Sequence, residues 1–286
     1  MEKIIITTDS TSDLSPELLE KYDIRVLPLH IVSDTDSKKD GVEIKATDVF
    51  EYQQKSGKLM KSAAPNLAEW EDFFDSLPEN DGVINFTISS EMSSTFTNSK
   101  IAADERKNIY TIDSRNLSTG IGLLILTACD LREQGLSAKE IYEQIEELKP
   151  FVRASFVIDT LEFLHKGGRC SALAALGANL LKLKPCIEVA DGKMGVAKKY
   201  RGKITEVIPK YIKDKLADID KIDTDKVFIT HTMDEKNRYI VDEMINYIRD
   251  NYDFKHIYET VAGCTVSVHC GPNTLGILFI EKKNKM

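Results

Sequence analysis

Four short β-branched runs, at residues 3–7, 24–31, 82–88 and 108–112, alternate with helical patterns through the first half of the chain. That alternation leaves few folds open. Strands separated by helices predict a mostly parallel sheet covered by helices on both faces. Ser15 followed by Pro16 marks one helix start, and residues 47–57 and 67–77 read as further helices, the first closed by Gly57. Residues 120–131, GIGLLILTACDL, are apolar around most of the circumference and predict a buried helix, whereas residues 137–148 read as amphipathic and acidic.

Three of the strands end in polar loops: residues 8–13, 89–95 and 113–116. The densest holds Ser89, Ser90, Ser93, Ser94 and Thr95 within seven residues. Hydroxyls and unpaired N–H groups at a helix start suit a small anion, and open α/β sheets bind ligands beyond the carboxyl ends of their strands. Ordinary capping accounts for one or two such hydroxyls without any ligand. Asp9 and Asp13 also carry two readings, as ligands for a metal or a phosphate-bearing substrate, or as acceptors for the backbone of their own loop. Residues 34–40 are charged and expected to be exposed, and residues 60–66 form a small-residue loop containing Ser62.

The pattern changes near Lys149-Pro150. Residues 154–158 read as a strand, residues 161–166 as a short helix stopped by Gly167-Gly168, and residues 172–183 as an apolar helix capped by Ser171. Asp191-Gly192, between residues 186–190 and 193–197, is a two-residue hairpin signal, so antiparallel pairing enters here. Pro209 inside the helical pattern at 204–216 predicts a kink or a late start. Strands at 227–230 and 256–261 flank a helix at 236–251, and a last strand follows at 275–280. His269, just before Gly271-Pro272, is placed at a strand end facing a cleft. The fold class expected is therefore α/β in two domains: a Rossmann-like one over residues 1–150 with a mostly parallel sheet, and a mixed α/β one over residues 151–286.

With 46 acidic against 38 basic residues the chain carries a net charge of −8, which argues against a general nucleic-acid binder. Lys198, Lys199, Arg201 and Lys203 form one local basic run, usually a solvated face. Five cysteines with no CxxC pair speak against zinc clusters and disulfides and for a reducing cytoplasm. Neither a secretory leader nor a membrane span is expected. There is no Walker A sequence, GxSxG elbow, HExxH or GxGxxG. What recurs is polar loops beside two unusually apolar helices, a combination that suits a ligand with an anionic head and a long apolar tail. Burial at about 0.8 kcal/mol per methylene gives a tail of about fifteen carbons on the order of 10 kcal/mol, against roughly 1.5–3 kcal/mol for each hydrogen bond to a charged head.

Five motifs spread along the chain bear a resemblance. They are Thr8-Asp9-Ser10-Thr11-Ser12-Asp13-Leu14, Ile88-Ser89-Ser90 with residues 93–96, Asp113-Ser114, residues 161–169 with their Gly-Gly-Arg, and His269-Cys270-Gly271-Pro272. The set resembles the DegV family of bacterial fatty-acid-binding proteins. The resemblance implies one long-chain fatty acid in a tunnel between the two domains, with no catalytic activity, metal or cofactor. It also implies a fatty acid kinase partner, to which the acyl carboxylate is presented for acyl phosphate formation and phospholipid synthesis. On the same grounds Ser89 and Ser90 are expected at the carboxylate, with Ser62 supplying a further hydroxyl, His269 nearby, and Arg169 at a partner-facing mouth. Ala63 and Ala64 depart from the family's pattern and imply a thinner head-group network, Ser94 stands where the family commonly has glycine and implies a changed backbone approach to the head group, and Cys270 replaces a threonine. The alternative is a metal-dependent enzyme acting on a phosphorylated or acylated small molecule through Asp9, Asp13 or His269.

Overall fold

The computed structural model describes residues 3–78, 82–170 and 183–283. In chain order the elements are β1 (Ile4–Asp9), α1 (Pro16–Lys21), β2 (Ile24–Leu27), β3 (His30–Val32), β4 (Ser37–Lys39), α2 (Ala46–Ser56), β5 (Lys61–Ala63), α3 (Leu67–Asp75), β6 (Gly82–Thr87), α4 (Thr95–Asp104), β7 (Ile109–Asp113), α5 (Thr119–Glu133) and α6 (Ala138–Leu148). There follow β8 (Val152–Val157), α7 (Glu162–Gly167), β9 (Leu183–Ala190), β10 (Lys193–Arg201), α8 (Ile204–Lys215), β11 (Ile222–His231), α9 (Tyr239–Asn251), β12 (His256–Val261), α10 (Cys264–Cys270) and β13 (Leu275–Glu281).

The N-terminal sheet, in the order β2-β1-β6-β7, is parallel throughout. Alternation along β1 covers both of its faces. Ile4 and Ile6 pack toward α5, while Ile5 joins Trp70, Phe74, Ala102 and Ala103 of α3 and α4 on the other side. The C-terminal sheet, in the order β10-β9-β8-β13-β11-β12, is mixed, since β11 and β12 are parallel and every other pair is antiparallel. Helix α5 is buried on nearly every side, because its residues share one core with β1 and β6 of the first sheet and with Val152, Phe156 and Leu278 of the second. A polar face would have had no solvent to meet, which is why the sequence shows no amphipathic stripe there.

A small antiparallel sheet, β4-β3-β5, was not expected. The run at 24–31 is two strands, since Pro28 supplies no N–H and the chain leaves the parallel sheet there. Residues 60–66 contain β5 as well as loop. Residues 34–39 are exposed as expected, but Asp40 is not: it is 3% exposed. Helix α8 starts at Ile204 and carries Pro209 within it, so no late start occurs. Residues 264–270 form α10, although Val266, Ser267, Val268 and His269 alternate like a strand; His269 ends a helix. The helix expected at 172–183 and its Ser171 cap lie outside the described residues, except that Leu183 opens β9. Asp191 and Gly192 do turn the β9–β10 hairpin, both with positive φ, at 50° and 79°.

Candidate functional site

The polar loops converge at the carboxyl ends of β1 and β6. Asp9 is spent on that junction: one carboxylate oxygen accepts from the Thr11 N–H (2.9 Å) and hydroxyl (2.5 Å), the other from the Ile88 N–H (2.8 Å). Asp13 accepts from the Ser118 hydroxyl (2.5 Å) and the Gly263 N–H (2.8 Å). Both are buried, and neither borders the two cavities described below. Asp9 thus serves its own loop through Thr11, as one reading expected, whereas both partners of Asp13, Ser118 and Gly263, lie outside its loop and that reading did not foresee them.

Beside this junction lies a cavity with about 700 Å³ free of protein atoms, its mouth included. Leu29, Ile88, Met92, Leu117, Met194 and Val266 supply apolar wall, while Ser62, Ser93, Ser94, Thr265, His269 and Arg169 supply polar groups. Pairing of β5 with β3, Ser62 opposite Ile31, sets the Ser62 hydroxyl on that wall. Ser62 Oγ stands 2.9 Å from His269 Nε2. Arg169 is exposed at the rim, anchored to the carbonyl oxygens of Gly167 (2.9 Å) and Met92 (3.5 Å), and is the cation among the lining residues.

Burial, with the Arg169 charge adding to it, pushes His269 down to about 4, so its imidazole is neutral near pH 7. Its Nδ1 is buried, has no hydrogen-bond partner among the described residues and packs against Gly167, where a Cβ would overlap the ring. A neutral ring holds one proton, and an orphaned lone pair costs less than an orphaned N–H. The proton is thus assigned to Nε2, which donates to Ser62 Oγ and leaves the Ser62 hydroxyl hydrogen free for an acceptor in the cavity. The wall therefore offers a hydroxyl donor to an anion, with a cation at the rim.

Beyond Leu117, Val266 and Cys270, which border both spaces, a second, narrower space with about 340 Å³ free of protein atoms, its opening included, lies between the mixed sheet and the helices α5 and α10. Phe156, Ala262, Gly276 and Leu278 contribute carbon, and several polar side chains also border it. Those side chains are engaged elsewhere. Ser155 pairs with Tyr211 (2.8 Å), Thr230 with Thr119 and Thr260 (2.6 and 2.9 Å), and His231 with Glu259 (3.2 Å). Thr232 and Thr274 donate to the carbonyl oxygens of Gly271 (2.7 Å) and Cys270 (3.1 Å), and Ser118 donates to Asp13. The void meets mainly carbon. A chamber with hydrogen-bonding groups on its wall, sharing a wall with an apolar one, is a shape for an amphiphile.

The family model described as uncharacterised proteins of the DegV family matches residues 3–282. The chain belongs to the DegV family. A DegV domain-containing protein of Caldanaerobacter subterraneus is 33% identical over 287 residues, covering 99% of this chain and 100% of its own. Among solved structures, a fatty-acid-binding DegV family protein of Thermus thermophilus superposes with a TM-score of 0.88 at 25% identity, over 98% of this chain and 100% of its own. A stearic-acid-binding protein of Eubacterium ventriosum does so with a TM-score of 0.83 at 26% identity, over 99% of each chain.

Within this DegV protein the residues singled out from sequence separate into two groups. Ser62, His269 and Arg169 come together around the first cavity. Ser89 and Ser90 do not line it. The Ser89 hydroxyl is buried and donates to the Gly192 carbonyl (2.7 Å), which ties the loop to the tip of the β9–β10 hairpin. Ser90 is exposed and donates to Asp113 (2.6 Å), in a cluster where Arg115 also reaches Glu91. Because Ser89 O accepts from the N–H groups of Met92 and Ser93, the chain turns back and presents Ser93 and Ser94 to the cavity instead. These two belong to the same hydroxyl cluster, so the signal was present in the sequence but its register was not. Thr265 and Asp40 gave no signal.

Proposed function

We propose that this protein binds one long-chain fatty acid, its carboxylate in the chamber of Ser62, Ser93, His269 and Arg169 and its chain running past Cys270 into the second cavity. The observation that carries this reading is a chamber carrying hydrogen-bonding groups that shares the wall of Leu117, Val266 and Cys270 with a space whose bordering polar side chains are turned away. Relatives of the same fold described as binding fatty acids support it. The fatty acid is the ligand of a carrier that has no catalytic step, metal or cofactor of its own. Residues 1–150 and 151–286 act as two domains with the ligand tunnel between them. The exposed Arg169 at the rim is the contact for a fatty acid kinase that phosphorylates the presented carboxylate. Ser89 and Ser90 serve the site indirectly, by fixing the loop that carries Ser93. Work in the cytoplasm fits this role, and no helix among the described residues is long and apolar enough to cross a membrane.

The test is organic extraction of freshly purified protein followed by mass spectrometry, together with uptake of added palmitate or oleate. One equivalent of fatty acid per chain is expected. A protein that is empty and takes up neither lipid would falsify the reading.

A further inference from the structure

The head-group histidine stands on a helix whose N-terminal end is held by carboxylates that follow β1 and β4, outside the mixed sheet. Helix α10 follows β12 of the mixed sheet, and Thr265 and His269 sit four residues apart, on one face, both lining the first cavity. Seven residues are too few for a helix to hold its own position, so what fixes its ends fixes its side chains. Its C-terminal end passes into Gly271 at a φ of 76°. Its N-terminal end is gripped by two carboxylates. Asp13 accepts from the Gly263 N–H, and Asp40 takes the next two: Cys264 N–H on one oxygen (2.9 Å) and Thr265 N–H on the other (3.0 Å). The Thr265 hydroxyl adds a fourth bond, 2.6 Å from the same Asp40 oxygen.

Two consecutive N–H groups, about 100° apart around a helix of 3.6 residues per turn, held by the two oxygens of one carboxylate, fix both the rotation and the axial position of α10. Asp40 is itself immobilised. The Ser10 hydroxyl donates to it (3.1 Å) while accepting from the Leu29 N–H (3.0 Å), and the Asp40 N–H donates to the Leu29 carbonyl (2.9 Å). Leu29 is in turn part of the cavity wall.

We propose that Asp40 is a positioning residue for the head-group site, holding the first turn of α10 so that His269, one turn further on, stands within hydrogen-bonding reach of Ser62. The proposal rests on the reading of that chamber as the carboxylate site. Asp40→Asn tests it, because the carboxamide keeps the size but sets an NH2 group against one of the two helix N–H donors. Asp250→Asn, at an exposed site on α9, is the control for loss of one charge. For folded Asp40→Asn, palmitate affinity is expected to fall at least about tenfold. The carboxyl resonance of [1-13C]palmitate should move in the complex, and the His269 imidazole 15N resonances should move in the ligand-free protein. Asp250→Asn should leave all three as in the wild type.

Wild-type affinity and unmoved resonances in folded Asp40→Asn would overturn the proposal. Should that variant not fold, Ser10→Ala keeps the carboxylate and loosens it, and the same measurements decide, with a few-fold loss expected and no change overturning. Should the wild type take up no fatty acid, the functional reading fails, and the ligand-free 15N resonances of His269 still decide the role of Asp40.

Discussion

Each polar side chain near the cavity is defined by where its hydrogen bonds go. Ser62 has its acceptor side met by His269 and its own hydrogen free, whereas Ser90 gives its hydrogen to Asp113. Ser62→Ala should therefore weaken fatty-acid affinity about tenfold, the loss of one hydrogen bond to a charged group at roughly 1.5 kcal/mol. Ser90→Ala should change it by less than about threefold, since its exposed pair with Asp113 lies off the cavity. Titration of each variant with a fluorescent fatty acid measures both, and equal losses would remove the distinction drawn between the two serines. The sequence offered five hydroxyls in one loop and no means of ranking them. Ranking needed the turn at residues 89–93, whose hydrogen bonds decide which hydroxyls look inward.

Among the elements, α10 shows most clearly where local pattern misleads. Its β-branched residues alternate with polar ones, yet it is helical, because Asp13 and Asp40 accept its leading N–H groups and Gly271 ends it. Both carboxylates come from residues more than two hundred positions earlier. The hairpin at Asp191-Gly192 and the stop at Gly167-Gly168 were legible, since positive φ at 50°, 79° and, for Gly168, 69° favours these residue types whatever the tertiary context. Gly167 carries a second, unread constraint: α7 meets the ring of His269 there. Gly167→Ala should cost about 1–3 kcal/mol of stability through overpacking and displace the imidazole. A urea unfolding curve of wild-type midpoint would show that the neighbouring ring gives way at no cost.

For the molecule as a whole, the buried carboxylates make stability depend on pH in an unusual direction. Burial, opposed by the Ser118 and Gly263 donors and reinforced by the charges of Asp40 and Asp9, raises Asp13 from 3.8 to about 7. Burial likewise raises Asp9 from 3.8 to about 6, against its Thr11 and Ile88 donors and with Asp40 adding. In this range the folded protein holds protons the unfolded chain has released. Their contribution to stability is therefore complete below about pH 3.8 and is lost as pH rises through 6 and then 7. His231 and His269, both lowered by burial from 6.5, act in the opposite sense below that pH. Between about pH 6.5 and 8 Asp13 thus sets the slope, and the urea midpoint should fall as pH rises. Asp13→Asn, whose carboxamide can still accept from Gly263 and donate to Ser118, should flatten that slope. An unchanged slope in this variant would assign the effect to another group.

The strand and helix periodicities, the apolar α5, the hairpin and the glycine stops were set by the sequence alone, because they depend on neighbours a few residues away and on backbone conformations that few residue types adopt. The parallel and mixed sheets followed from the spacing of those elements. Only the tertiary structure decided that Asp40 is buried, that residues 264–270 are helical, that Ser93 rather than Ser89 faces the cavity, and that Ser62 meets His269 across 207 positions. Each of these depends on hydrogen-bond partners brought together by the packing of the two sheets around α5, and a donor or acceptor in the sequence does not name its partner.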